Sequence, residues 1–374
     1  MNAIVPKGRC PSLYDPMASG DGLLVRIKPH GAVLTANAAR QLGVATSRFG
    51  NGVIELTSRA AIQVRGLSVK GTTPFAAAIV AAGLADADPD VERRRSVIVP
   101  PLADKTTRAV ATAVEQSLAC DPRLTALPPK FAVSVDGNGV LPLGDVGADI
   151  QVACLDAACS VTLVGTGRSV TVAATDVPET VVCLALALLE VGVRRLPAPR
   201  TPKAIGWLPH REGEYGAFGL GLPFGATTAA ALVSMADLSE QAGDGTLRVT
   251  PWRAFVVPCV SAAACTRLRD AGSALGLIVD PADPRLAIIT CPGQPSCASA
   301  TVATRADAMQ LVELGLPAMV HVSGCAKGCA HPASARITLV GENGLYGIVR
   351  DGRASDPPSE RDLTLAQVIA VLRA

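Results

Sequence analysis

The sequence predicts an α+β chain made by duplication, its two copies arranged about a pseudo-twofold axis. Three observations predict it. Short apolar runs rich in β-branched residues alternate with single helical periods, the mark of mixed α and β structure. A plan read between Gly22 and Ser68 recurs roughly 190 residues later, far too long a period for a solenoid. Four of the eleven cysteines gather in two spaced pairs near the carboxyl end, so the copies are not chemically equivalent.

Composition sets the frame. With 374 residues, 49% of them hydrophobic, the chain can form two or three domains with real cores. The net charge is +2 and the charges are interspersed, so no polybasic surface points to nucleic acid. Aromatic residues make up 3%, too few for the stacking platforms that single strands need. The longest apolar run, residues 181–189, is about half of a membrane span. The first nine residues lack a charged region followed by an apolar core, so a cytoplasmic, reducing compartment is expected, in which thiols stay available for iron.

In chain order, residues 23–27 read as a strand, Pro29-His-Gly31 as a turn, and Thr35 as the cap of a helix running to about Phe49. Gly50-Asn-Gly52 breaks that helix before strands at Val53 and Ile62. Arg26, Lys28, Arg59 and Arg65 lie on or beside these strands, where charged residues are ordinarily solvent-exposed. The second copy runs Leu220-Gly-Leu-Pro223-Phe-Gly225, Thr227-Thr228, a helix through Leu238, Gly243-Asp-Gly245, and strands over 246–250 and 252–257. Pro29 to Gly31 matches Pro223 to Gly225, Gly50 and Gly52 match Gly243 and Gly245, and Thr57 matches Thr250. Residues 87–89 read as a linker. A hairpin is expected over 161–172, turning at Gly165-Thr-Gly167, and another over 336–349; helices are expected over 301–314 and 363–372. Neither Gly165-x-Gly167 nor Gly219-x-Gly221-x3-Gly225 has dinucleotide-fingerprint spacing, so any nicotinamide-derived electrons come from a separate donor.

The chemistry concentrates in Cys291-x5-Cys297 and Cys325-x3-Cys329. Four thiolates complete the protein coordination of a [4Fe-4S] cube. Each pair follows an apolar run and sits in a loop of small residues, as required where backbone approaches a bulky cluster. Zinc fits less well, because five intervening residues exceed the usual two to four. Buried structural thiols are the plainer reading for Cys120, Cys154, Cys159, Cys183, Cys259 and Cys265.

With Pro292-Gly293 after the first cysteine and Ser323-Gly324 before the third, this pattern resembles the cluster signature of the sulfite and nitrite reductase family. His321-Val-Ser-Gly-Cys-Ala-Lys-Gly-Cys-Ala-His-Pro332, together with Cys10-Pro11, Pro16-Met17 and Gly20-Asp-Gly-Leu-Leu-Val-Arg26, is similar to the oxygen-dependent branch of that family that works in aerobic cobalamin biosynthesis. The resemblance implies two ferredoxin-like half-domains over 15–75 and 210–270, paired pseudo-symmetrically. It also implies two α/β domains over 90–200 and 275–374, the second holding the cluster on Cys291, Cys297, Cys325 and Cys329. It implies that Arg26, Arg59, Arg65, Arg95 and Lys130 bind the carboxylates of a tetrapyrrole substrate. Leu127-Pro-Pro-Lys130-Phe131 looks like a basic family segment, but Pro129 replaces an Arg and Ala132 replaces the second active-site Lys of the reductases.

The activity implied is a monooxygenase reaction: hydroxylation of precorrin-3A with dioxygen and closure of a lactone, fed by a separate reductase. A mononuclear non-haem iron is also implied. The only histidines are His30, His210, His321 and His331, and their spacing assembles no two-His-one-carboxylate set. His331 is the nearest candidate, and a hydrogen-bonded histidine is its plainer reading. Two alternatives stay open: a sirohaem-dependent assimilatory sulfite or nitrite reductase, in which the thiolate matching Cys329 would bridge cluster and haem, and a non-enzymatic iron–sulfur electron carrier. Cys154 and Cys159 are spaced like a cluster pair but lack a partner pair downstream.

Overall fold

A computed structural model describes residues 10–137, 139–144, 146–155, 158–191, 204–209, 215–316 and 318–373. The described residues form two compact units, Leu24–Val279 with the segment before Ala18, and Asp280–Ala374 with Ala18–Leu23. Among them no helix is long and apolar enough to cross a membrane.

In the larger unit the two copies exchange strands. One sheet runs Gly22–Ile27, Ile62–Leu67, Val53–Leu56 and then Ala226–Thr228 from the second copy. The other runs Gly206–Pro209, Tyr215–Gly221, Ala254–Ser261, Thr246–Val249 and then Val33–Thr35 from the first. Both exchanged strands pair antiparallel, Thr35 opposite Thr246 and Ala226 opposite Glu55. Each then enters a helix. Thr35 Oγ1 accepts the Ala38 N–H and Thr228 Oγ1 the Ala231 N–H, both at 3.1 Å, so one hydroxyl caps each of Ala36–Phe49 and Ala229–Ala242. These helices pack together through Gly43, where a Cβ would stand 2.7 Å from Val233 Cγ2 and 3.0 Å from the Ala229 carbonyl oxygen. Arg40 adds an ion pair to Asp237 and Glu240 across the same seam.

The copies superpose in sequence at one offset, 193 residues, as Thr35 and Thr228 show. Six left-handed positions pair at that offset: Gly31 with Phe224, Ala32 with Gly225, Gly52 with Gly245, Ala60 with Arg253, Gly66 with Cys259, and Gly83 with Gly276. The sequence-based match of Pro29–Gly31 to Pro223–Gly225 is therefore displaced by one. The turn needs two successive left-handed residues, and its glycine stands first in one copy and second in the other. Thr57 and Thr250 play one role, each hydroxyl accepting two backbone N–H groups of the following turn.

The first α/β region stacks Val97–Ile98, Val133–Asp136 and Ile150–Leu155 in parallel, then Ala158–Leu163 and Arg168–Ala173 antiparallel. The expected hairpin about Gly165 and Gly167 is present, both glycines at positive φ. The predicted linker at 87–89 instead starts a helix, Pro89–Arg94, capped by Asp88. The smaller unit repeats that strand order: Ile288–Thr290, Val320–Ser323 and Ala335–Glu342 in parallel, then Leu345–Gly352 and Glu360–Leu363 antiparallel. Both parts of the fold are thus duplicated among the described residues, and Cys154 and Cys159 lie on hairpin strands rather than on a loop equivalent to either loop of the carboxyl-terminal cysteine pairs.

Candidate functional site

Both cysteine pairs sit just beyond the carboxyl ends of two neighbouring parallel strands, Ile288–Thr290 and Val320–Ser323, where open α/β sheets place their ligands. Cys291 is buried and its Sγ accepts the Gly324 N–H at 3.2 Å, so the first cysteine of one loop is held by the backbone of the other. Burial raises the Cys291 thiol, while N–H groups of Gly324 and Gly293 and the nearby Thr304 hydroxyl act in the opposite direction. Thr304 Oγ1 donates to the Cys291 carbonyl oxygen at 2.7 Å, fixing the start of the loop to the helix Thr304–Val312. Thr301 N–H donates to Gly324 O and Lys327 Nζ to Ser299 Oγ, so three contacts join the two loops.

Close approach is enforced by glycines. A Cβ on Gly324 would stand 2.6 Å from Ala300 Cβ and 3.5 Å from Cys291 Sγ. Gly20 lies against the first loop: its N–H donates to Ser296 O at 3.2 Å, and a Cβ would stand 2.4 Å from Pro295 O. That contact gives the amino-terminal Gly20-Asp-Gly stretch a physical reason to accompany the cysteines. Cys297 and Cys325 are half-buried and Cys329 is exposed; all four are free thiols. Among the described residues no three His, Cys, Asp or Glu side chains converge on a single-ion site. A cubane distributes its thiolates over separate irons, so the donor set and the glycine cradle suit a cluster better than one ion. His331 Nε2 lies 3.3 Å from Ser334 O and its ring meets that of His321 edge-on, the hydrogen-bonded placement rather than an open ligand position. His210 lies outside the described residues.

The five cations expected at a carboxylate site separate into three kinds. Arg65 and Arg95 are each 3% exposed and committed to protein partners. Arg65 pairs with Glu55 at 3.4 Å; Arg95 is held by Glu92, Glu115 and the Lys28 carbonyl oxygen. Desolvated guanidiniums require such partners. Lys130 is exposed. Arg26 and Arg59 are half-buried and close enough to repel; burial first and Arg26 second hold Arg59 below the usual guanidinium range. Arg26 Nε is shielded from solvent without a hydrogen-bond partner, an orphaned donor suited to an incoming anion.

Asp149, which the sequence did not single out, completes this corner. Its Oδ2 accepts the N–H of fully buried Ala132 at 2.8 Å. Burial raises its carboxyl, against the Ala132 hydrogen bond and the charge of Arg59. A lone Asp before a strand carries no local pattern, so only the tertiary neighbours reveal it. His30, by contrast, belongs to the Arg95 network, with Nδ1 2.6 Å from Arg95 Nη1.

Known proteins share this design. Residues 15–82 and 208–271 match the nitrite/sulfite reductase ferredoxin-like half domain, the two matches beginning at the 193-residue offset. A solved structure, the NirA protein of Mycobacterium tuberculosis, shares the fold with TM-score 0.69 and 20% identity over 94% of this chain and 79% of that one. A ferredoxin–nitrite reductase of Synechococcus elongatus is 22% identical, over 85% of the chain and 76% of its own length. A precorrin-3B synthase of Sinorhizobium is 34% identical, over 96% of this chain and 85% of its own. With identity at that level along almost its whole length, the chain belongs to the precorrin-3B synthase family, built on the nitrite/sulfite reductase fold.

Proposed function

We propose that the protein is an oxygen-dependent enzyme that hydroxylates precorrin-3A and closes a ring acetate into a lactone, in aerobic cobalamin biosynthesis. The observation that carries this reading is the 34% identity to a precorrin-3B synthase across 96% of the chain, against 22% to a ferredoxin–nitrite reductase. Cys291, Cys297, Cys325 and Cys329 hold a [4Fe-4S] cluster, which supplies single electrons when bound. Gly324 and Gly293 donate N–H groups to the most buried of these sulfurs.

Arg26 and Arg59 bind acetate or propionate groups of the substrate. Each guanidinium fork that meets a carboxylate contributes about 1.5–3 kcal/mol when water is excluded. Ala132 fits this substrate better than sulfite or nitrite: by resemblance a lysine would stand at 132 in a reductase, and here a methyl group replaces the cation that would hold a small oxyanion. Dioxygen is the oxygen source and electrons come from a separate reductase; the described residues assemble no single-ion site for a mononuclear iron, so no step is assigned to one. The test is the visible spectrum, iron, sulfide and tetrapyrrole content of anaerobically purified protein, followed by turnover of precorrin-3A under labelled dioxygen. About four sulfides per chain, no sirohaem bands and one labelled oxygen in the product are expected. Sirohaem bands with sulfite or nitrite turnover would establish the reductase instead.

A further inference from the structure

Cys154 and Cys159 have no part in the function proposed above. They stand directly opposite one another on the antiparallel strands Ile150–Leu155 and Ala158–Leu163. Cys159 Sγ donates to Cys154 Sγ at 3.0 Å, and the two residues are 0% and 4% exposed. Directly opposed residues of an antiparallel pair have Cα atoms about 4.5–5.5 Å apart, within the roughly 4.4–6.8 Å that a disulfide spans. The backbone therefore needs no movement for a bond to form. In the smaller unit, the rung at the same place in the matching hairpin is Gly341 opposite Tyr346, so the shared architecture does not itself demand sulfur there.

We propose that Cys154 and Cys159 form a two-electron redox pair that closes into a cross-strand disulfide, with hydrogen peroxide as the oxidant. One thiolate attacks a peroxide oxygen, the O–O bond breaks, and a sulfenic acid and water result after proton uptake. The second thiol then displaces hydroxide from the sulfenic sulfur, forming the S–S bond and a second water. Two thiols have lost two electrons and two protons, and one peroxide has become two waters. Burial favours a small oxidant over a protein disulfide. It also raises the Cys154 thiol, to about 12, with the Cys159 hydrogen bond acting in the same direction.

Trypsin releases residues 131–168 as one peptide that contains these two cysteines and no others. The full chain, purified anaerobically, is exposed to peroxide, quenched with catalase, unfolded in iodoacetamide and digested. The expected peptide is two hydrogens lighter than the reduced form and carries no alkyl group, and dithiothreitol before alkylation restores two. Alkylation of both cysteines after peroxide, a cross-link to another peptide, or sulfinic oxygen on either sulfur would overturn the proposal. In Cys154→Ser, Cys159 should remain open to alkylation or carry a single oxygen; closure onto another cysteine would also overturn it. The wild-type measurement decides even if that variant does not fold.

Discussion

Cys291, Arg59 and Cys259 show how much a single side chain's role depends on what lies opposite it. Of the four cysteines proposed to hold a cluster, Cys291 accepts an N–H from the other loop, whereas Cys325 is half-buried and begins the second loop. Cys325→Ser replaces a thiolate with a poor iron ligand, so the variant should lose the broad visible absorption of the cluster and all turnover; retention of both would remove the site. Arg26 and Arg59 are the half-buried cations of the Asp149 corner, so Arg59→Gln should raise the KM for the tetrapyrrole roughly tenfold to a hundredfold, the loss of about 1.5–3 kcal/mol, with melting temperature little changed. An unchanged KM in steady-state assays would show that the guanidinium does not meet the substrate. Cys259 is exposed at φ +57, where the other copy has Gly66. Cys259→Gly should therefore stabilise the fold by about 0.5–1 kcal/mol in urea unfolding, since only glycine adopts that backbone without a Cβ penalty.

At the scale of elements, the paired helices Ala36–Phe49 and Ala229–Ala242 and their exchanged strands make each half incomplete alone. Val33–Thr35 and Ala226–Thr228 are three residues long, too short to be stable without the other copy's sheet. The helix seam has little spare room at Gly43. Gly43→Val should cost about 1–3 kcal/mol by overpacking against Val233 and the Ala229 carbonyl, read as a lower denaturation midpoint with an unchanged slope. A tolerated valine would mean that the helices separate without penalty. The run Arg93-Arg94-Arg95 is likewise an element-level device: Arg94 donates twice to the Ala119 carbonyl near the end of Lys105–Cys120, and Arg93 to the Thr125 carbonyl.

For the molecule as a whole, acid stability depends on carboxylates buried with cations. Burial alone would raise the Glu115 carboxyl, but His30 and Arg95 hold it below its ordinary value. A carboxylate depressed in the folded state stabilises above its unfolded pKa of about 4.3 and loses that contribution as pH falls through the folded value. Unfolding free energy should thus decline below about pH 4.5, and Glu115→Gln should lower stability by about 1–3 kcal/mol at pH 7 while flattening that decline. A variant whose acid limb is as steep as wild type would assign the loss to other carboxylates. Much of this molecule was legible from its residues: the Thr35 cap, the glycine-bounded strands, the repeat and the two cysteine loops beyond parallel strands are local patterns, set by hydrogen-bond capping, backbone handedness and residue spacing. The sequence by itself determined that the chain is duplicated and that four cysteines fall in two spaced pairs near its carboxyl end. Only the tertiary structure decided that the copies exchange strands, that the repeat register is 193, that Arg65 and Arg95 are locked to Glu55, Glu92 and Glu115 while Arg26 and Arg59 are not, and that Cys154 faces Cys159. Those outcomes depend on which distant groups meet once chain entropy has been spent on folding, and neither periodicity nor spacing carries that information.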